Sequence, residues 1–225
     1  MINMSKAKIT WAMSALVRIT LLLWMVNGIP VLLNGQIRKV DLLKPNAGHL
    51  YNREAQTNAD GSLELNAKEG DGMMILKGLR FSEGTIRVKL KGENMPGSSF
   101  VGIAFNIDDE KHFEAIYFRP FNFRNKDRET HSVQYISMPD HPWELLREKF
   151  PDKYENKIDP APDPDSWLDV KIVVKDKMIR VYVNNASKPS LEVTSFRGDK
   201  NEKAVAVWVG NNSKGSFKDL AVEKI

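Results

Sequence analysis

The segment from His112 to Arg124, HFEAIYFRPFNFR, places one carboxylate, two guanidinium groups and five aromatic rings within thirteen residues. Glu114 can accept hydrogen bonds from hydroxyl groups or exchange a proton, and Arg119 and Arg124 each offer a planar fork of donors. If the segment is a strand, Glu114 and Arg119 lie on opposite faces. Because a buried carboxylate is costly unless it is paired, we predict that Glu114 lines an open groove. The alternative is an internal salt bridge to Arg119, Arg124 or Arg128.

The stretch HSVQYIS, His131 to Ser137, follows as a second polar strand. If it pairs antiparallel with FEAIYF, Gln134 could lie beside Glu114; alternatively, His131 and Tyr135 present a polar pair. Tyr135, or Trp143 further along, can stack on the apolar face of a ring-shaped ligand. The predicted ligand-binding residues are Arg119, Arg124, Gln134, Tyr135 and Trp143.

Acid–base catalysis requires two groups with separated pKa values beside the reacting bond. Glu114 together with His131 or with Asp108 is the pairing that we consider. Glu114 and His131 are therefore the candidate catalytic residues, while a purely structural role for them remains open.

Metal chemistry has little support in the sequence. The four histidines are scattered, and the chain has no cysteine, which excludes a thiolate metal site. We predict neither a cofactor nor a catalytic metal. A structural calcium ion held by Asp108, Asp109 or Asp71 stays open, because hard cations are bound by loop oxygens.

The first 35 residues have the pattern of a signal peptide. They carry Lys6, Lys8, Arg18 and no acid, and then an apolar run from Ile19 to Leu33 that Pro30 interrupts. We predict export to the periplasm, the cell surface or the medium, with no stable membrane span after cleavage near Gly35; an uncleaved anchor is the alternative. Without this segment the net charge falls from +4 to +1, and no basic run indicates nucleic-acid binding.

Residues 36–225 have the pattern of a single all-β domain. Short runs such as GTIRVKLKG alternate apolar and polar residues, and about eleven strands are predicted. Lys175, Asp176 and Lys177 form a tight hairpin connection. The segment from His141 to Phe150 has helical periodicity, and a proline-rich stretch follows it, so residues 141–166 are predicted to form a rim or a lid.

Two segments resemble the concanavalin A-like lectin/glucanase superfamily, including laminin-G-like modules and 3-keto-disaccharide hydrolase domains. They are the hairpin WLDVKIVVKDKMIRVYVNN and the closing stretch AVAVWVGNNSKGSFKDLAVEKI. The resemblance covers roughly residues 60–225 and implies an antiparallel two-sheet jelly-roll sandwich with a sugar-facing concave sheet. The acidic strand of the laminarinase-type members is missing, since Asp108, Asp109 and Glu110 are consecutive.

A fold of this kind hosts many functions, so three hypotheses are carried forward. The first is an exported domain that binds oligosaccharides or polysaccharides. The second is a glycoside hydrolase of the 3-keto-disaccharide hydrolase type. The third is a non-catalytic adhesion or scaffold module.

Overall fold

The computed structural model describes residues 36–198 and 201–225. The predicted signal peptide lies outside the described residues. The strands in chain order are β1 (Ile37–Lys39), β2 (Gly48–Tyr51), β3 (Ala55–Thr57), β4 (Leu63–Leu65), β5 (Gly72–Phe81), β6 (Gly84–Lys91), β7 (Val101–Ile107), β8 (Phe113–Phe118), β9 (Val133–Met138), β10 (Glu155–Asn156), β11 (Leu168–Lys175), β12 (Met178–Val183), β13 (Leu191–Thr194), β14 (Lys203–Val209) and β15 (Gly215–Lys224). One helix, α1 (Trp143–Lys149), and two 3-10 turns, Pro120–Asn122 and Glu129–His131, complete the described part.

The strands form two antiparallel sheets. The eight-stranded sheet has the order β13-β12-β11-β6-β15-β4-β3, with β1 also paired to β15. The seven-stranded sheet has the order β10-β9-β8-β7-β14-β5-β2. The all-β jelly-roll sandwich predicted from the sequence is therefore confirmed.

The two sheets bury different numbers of faces. In β6 of the eight-stranded sheet, Ile86, Val88 and Leu90 are buried and alternate with more exposed polar residues, so one face meets solvent. In the seven-stranded sheet, β7 and β8 are buried at every position. The outer face of the seven-stranded sheet must therefore be covered as well, and its cover forms the candidate site described below.

The predicted hairpin and helix are both present. β11 and β12 join through Asp176 and Lys177, whose φ values of 49° and 67° are those of a tight left-handed turn. Helix α1 lies within the predicted segment and buries Leu146. Strands β1, β2, β3 and β10 have two to four residues each, and such short segments have too little alternation to be found from sequence.

Residues 141–166 form a fixed rim along the seven-stranded sheet. β10 pairs with β9, and the Tyr135 amide donates to the Tyr154 carbonyl oxygen at 2.8 Å. These bonds attach the segment that follows α1 to β9 at the edge of the seven-stranded sheet. Among the described residues, no helix is long and apolar enough to cross a membrane.

Candidate functional site

The register of the seven-stranded sheet separates two sets of side chains. Ile103 of β7 pairs with Ile116 of β8, and Gly102 pairs with Tyr117, so these two pairs lie on opposite faces. Ser195 and Arg197, which follow β13 of the other sheet, both donate to Glu114. The face of Glu114 and Ile116 therefore points between the sheets, and the face of Tyr117 points outward.

A glycine brings two aromatic rings together on this outer face. Trp208 of β14 and Tyr117 of β8 flank Gly102, and their ring centroids lie 5.2 Å apart. A Cβ at Gly102 would lie 2.1 Å from the Ile116 carbonyl oxygen and 2.7 Å from the Tyr117 Cα. The absence of a side chain at this position therefore keeps β7 close to β8 beneath the two rings.

Two adjoining pockets lie over this face, and we call them together the Trp143 groove. The first, the tryptophan pocket, has a volume of about 320 Å³ and is lined by Asp71, Phe100, Tyr117, Ile136, Met138, Pro142, Trp143, Glu144, Trp208, Gly210 and Asn211. The second, the arginine pocket, has a volume of about 350 Å³ and is lined by Gly97, Phe100, Arg119, Phe121, Asn122, Asp127, Arg128, His131, Trp143 and Arg147. The pockets share Phe100 and Trp143.

The two tryptophans of the groove are presented differently. Trp143, at the start of α1, is 39% exposed, and the guanidinium carbons of Arg119 and Arg147 lie 5.5 Å and 4.8 Å from its ring centroid. Trp208 is only 3% exposed, and its indole Nε1 has no hydrogen-bond partner among the described residues. The groove thus offers the partly exposed indole surface of Trp143, whereas the Nε1–H of Trp208 is shielded from solvent.

Asp71 lies at the tryptophan pocket, where hydrogen bonds join its loop to the loop of Gly210 and Asn211. The buried Arg53 donates to the carbonyl oxygens of Gly70 and Gly210, at 2.6 Å and 2.8 Å. The Asn211 side chain accepts from the Gly70 amide at 2.8 Å. Burial raises the pKa of Asp71 to about 6, although the charge of Arg53 opposes the rise; Glu144 adds to it.

The arginine pocket contains a buried ion cluster around Glu155. Arg147 binds this carboxylate with two hydrogen bonds of 2.7 Å and 2.6 Å, and Arg119 Nη1 lies 3.5 Å from Glu155 Oε2. His131 Nδ1 lies 2.9 Å from the same oxygen. Burial alone would raise the pKa of Glu155, but Arg147, with His131 and Arg119, brings the pKa below its usual value.

The prediction that Glu114 lines an open groove is wrong. Glu114 is 0% exposed and points between the sheets, where Tyr135 donates to it through the phenol hydroxyl. Ser195 donates at 2.6 Å and Asn106 at 2.5 Å. The carboxylate is stabilised by these neutral donors, so neither a salt bridge nor solvent is needed, and direct contact with a substrate is not available.

Gln134 and Tyr135 are also corrected as ligand contacts. β8 and β9 do pair antiparallel, but Gln134 lies opposite Tyr117 and on the other face from Glu114. Both side chains are 0% exposed. Gln134 accepts from Arg119 at 3.3 Å and donates to the Tyr154 carbonyl oxygen at 3.1 Å, so it fixes the rim beneath the groove.

Three predicted residues, Arg119, His131 and Trp143, line the Trp143 groove. His131 lies in a 3-10 turn before β9 and beside Glu155, which makes it a member of the ion cluster. Arg124 is exposed and pairs with Asp163 at 3.0 Å; its predicted role in ligand binding stays a prediction.

Sequence reasoning missed several groove residues because each depends on contacts between distant segments. They are Tyr117, Asn122, Glu144, Arg147 and Trp208. Asp71 and Arg128 also line the groove, although the sequence suggested them only as a calcium ligand and as an ion-pair partner of Glu114. Strand alternation, which puts Tyr117 on the other face of β8 from Glu114, is the one signal that was available. Trp208 is buried and lines the tryptophan pocket.

The open question of calcium receives no support from geometry. Within residues 36–198 and 201–225, no three His, Cys, Asp or Glu side chains come together as a metal site. Asp108 pairs with Arg197 and with Lys203, the latter at 2.9 Å. Asp109 binds His112 Nδ1 at 2.8 Å.

A further pocket of about 380 Å³ lies beside the eight-stranded sheet, next to Trp167. Its polar groups are largely paired with one another, because Ser62 donates to Asp60 at 2.6 Å and Lys214 binds Glu93 at 2.9 Å. Lys218 Nζ covers the Trp167 ring at 4.1 Å from its centroid. Guanidinium groups also lie over the Trp143 ring, but Trp143 is more exposed than Trp167, so the Trp143 groove is the better candidate.

Similarity to known proteins is found in structure only. No protein-family model matches the chain, and no curated protein matches it. The carbohydrate binding module CBM66 from Bacillus subtilis superposes with a TM-score of 0.56 and 10% identity, covering 85% of this chain and 98% of the module. The exoplasmic/lumenal domain of VIP36, in a form bound to Ca²⁺ and Man3GlcNAc, gives 0.58 and 11%, covering 84% and 90%.

The Bacillus licheniformis beta-glucanase superposes with a TM-score of 0.50 and 12% identity, covering 88% of this chain and 95% of the enzyme. The fold is a concanavalin A-like jelly roll. The concanavalin A-like sandwich predicted from the two sequence segments is thereby confirmed. Since a carbohydrate binding module, the VIP36 domain and a glucanase share it, the fold alone does not assign an activity.

Proposed function

We propose that this protein binds a glycan in the Trp143 groove. The observation that carries the proposal is the indole of Trp143, which is 39% exposed and lines a pocket of about 320 Å³ together with the carboxyl groups of Asp71 and Glu144. An aromatic ring can pack against the apolar face of a pyranose, while N–H donors and carboxylates bind its hydroxyl groups. The carbohydrate binding module and the Man3GlcNAc-bound VIP36 domain, which have the same fold, support this choice.

Calorimetry with a panel of oligosaccharides tests the proposal. Trp143→Ala should reduce the affinity for a bound sugar by tenfold or more, because loss of about 1.5 kcal/mol of ring contact corresponds to roughly that factor. Trp167→Ala, at the pocket of the other sheet, is the matched control and should leave the affinity unchanged. Equal effects of the two variants would contradict the groove assignment. No saturable sugar binding, with a protein partner instead, would favour the scaffold hypothesis.

A second candidate function, glycoside hydrolysis, is favoured by one feature of the same pocket. Asp71 and Glu144 both line it, and burial raises the pKa of Asp71 to about 6, with Glu144 contributing. A carboxyl group that keeps its proton up to about pH 6 can donate it to a leaving oxygen under mildly acidic conditions, while a second carboxylate serves as base or nucleophile. The candidate acid is thus Asp71, in place of Glu114.

Release of reducing sugar separates binding from turnover. Purified protein is incubated with 3-keto-disaccharides and with polysaccharides. If the protein is a hydrolase, Asp71→Asn abolishes release while binding in calorimetry remains. Binding without release in the unchanged protein would leave the glycan-binding function and remove the hydrolase.

Export remains part of the proposal, resting on the basic and apolar pattern of residues 1–35. Expression in a bacterial host, followed by fractionation and N-terminal sequencing, should give a mature chain that begins within a few residues of Gln36. An intact N-terminus in the membrane fraction would favour the uncleaved anchor.

A further inference from the structure

The arginine pocket carries more positive than negative charge in its buried cluster. Arg119 and Arg147 remain charged, since guanidinium groups keep their protons in proteins. They share a single carboxylate, Glu155, whose pKa is lowered below its usual value by these neighbours despite burial. The cluster therefore has an excess of one positive charge even with His131 neutral.

The exposed residues of the same pocket leave that excess in place. Arg128 and Asp127 both line it and are both exposed, so their opposite charges balance. The Arg147 side chain is 35% exposed, so part of the excess charge is accessible from the pocket.

A buried acceptor in the pocket also lacks a partner. Asn122 is 3% exposed, and its side-chain nitrogen donates to the His131 carbonyl oxygen at 3.0 Å. This bond fixes the amide, and its Oδ1 has no hydrogen-bond partner among the described residues. Because this oxygen is itself shielded from solvent, Asn122 supports the wall of the pocket and is not a ligand contact.

The other end of the Trp143 groove has the opposite character. Asp71 and Glu144 line the tryptophan pocket, which contains no Lys or Arg side chain among its lining residues. An anionic ligand group placed there would be repelled by ionised carboxylates, and one placed in the arginine pocket would be attracted. The charge distribution therefore favours one orientation of a ligand that spans Trp143.

Building on the glycan-binding function above, we propose that the arginine pocket binds an anionic sugar unit, one that carries a carboxylate or a sulfate ester. The guanidinium fork of Arg128 matches the planar geometry of paired acidic oxygens, while Arg147, whose fork binds Glu155, contributes its charge. Trp143 stacks on the neighbouring ring.

The test compares acidic oligosaccharides with their neutral counterparts on the full chain. The probes are oligogalacturonides and oligomannuronates, each beside its carboxyl-reduced form, and chondroitin sulfate fragments beside their desulfated form. At least one acidic probe should bind about tenfold tighter than its counterpart at low salt, the scale of one charge-assisted hydrogen bond. The advantage should shrink as sodium chloride rises, since salt screens exposed charges.

Arg128→Ala is the diagnostic variant, because this exposed side chain is not needed for the buried ion cluster. It should bring the affinities for acidic and neutral probes close to each other, because loss of Arg128 leaves the charge of Asp127 unbalanced and so cancels the positive excess of the pocket. Arg87→Ala, an exposed arginine of β6 on the other sheet, is the matched control. Preference for the uronates alone identifies a carboxylate, and preference for the sulfated fragments alone identifies a sulfate ester.

The outcomes separate this inference from the proposed function. If neutral and acidic probes bind equally through Trp143, the groove binds glycans but the arginine pocket does not select an anion. If Arg128→Ala and Arg87→Ala have the same effect, the inference is also overturned. If no probe of either kind binds, both the inference and the glycan-binding function fail.

Discussion

Glu114 is a carboxylate in the centre of the sandwich that is bound by neutral groups from both sheets. Tyr135 and Asn106 reach it from the seven-stranded sheet, and Ser195 from the segment after β13. These hydrogen bonds link the end of β13, the edge strand of the eight-stranded sheet, to β7, β8 and β9 of the seven-stranded sheet. Glu114 therefore helps to hold the two sheets together.

Glu114→Ala should lower the free energy of unfolding by about 3 kcal/mol or more, because several buried donors would lose their acceptor. Urea unfolding measures this change. Glu192→Ala, which breaks only an exposed pair with Arg180, is the control and should cost less than about 1 kcal/mol. A stable Glu114→Ala variant that no longer binds glycan would restore Glu114 to the site.

Asp71 should make the stability of the protein depend on pH. Its pKa is about 6 in the folded state, and an aspartate in an unfolded chain has a pKa of about 3.9. The folded state therefore holds the proton more tightly. The stabilising contribution is fully present below about pH 4 and is lost as the pH rises through about 6.

Urea unfolding at pH values from 4 to 7 tests this dependence. The native chain should lose stability across this interval relative to Asp71→Asn, which cannot ionise. Parallel curves for the two proteins would show that the pKa of Asp71 is not raised.

At the scale of elements, α1 positions Trp143 through one buried contact. Leu146 is 1% exposed and is the buried residue of the helix, whereas Leu145 is half-buried. Leu146→Ala should cost about 2–5 kcal/mol of local stability, the usual range for a large core side chain. Amide hydrogen exchange should accelerate across residues 143–149, while β7 and β8 stay protected.

Leu145→Ala is the matched control and should change exchange in the helix much less. Leu146→Ala should also weaken glycan binding, because Trp143 is placed by the helix. Unchanged exchange in both variants would show that the rim is held by β10 alone.

The elements that the sequence predicted correctly are those whose pattern is local. The β11–β12 hairpin follows from two alternating runs around Asp176 and Lys177, and α1 follows from its periodicity. The position of Glu114 could not be found in the same way, because its partner Ser195 lies 81 residues away. The position of Asp71 depends on the hydrogen bonds of Arg53 to Gly70 and Gly210, and Arg53 and Gly210 are 157 residues apart.

At the scale of the whole molecule, the sandwich uses its two outer faces differently. The outer face of the eight-stranded sheet presents charged side chains such as Arg87 and Lys89 of β6 to solvent. The outer face of the seven-stranded sheet presents Tyr117 and Trp208 beneath the rim. The sequence predicted a concave binding sheet from the fold resemblance, but the covering residues depend on tertiary contacts.

The most direct test is the indole N–H region of a ¹⁵N NMR spectrum during titration with a sugar that binds. The Nε1–H of Trp143 should shift strongly through ring contact with the sugar, and that of the buried Trp208 should shift less, while Trp167 stays in place. A shift of Trp167 with Trp143 and Trp208 unchanged would contradict the assignment of the site to the seven-stranded sheet.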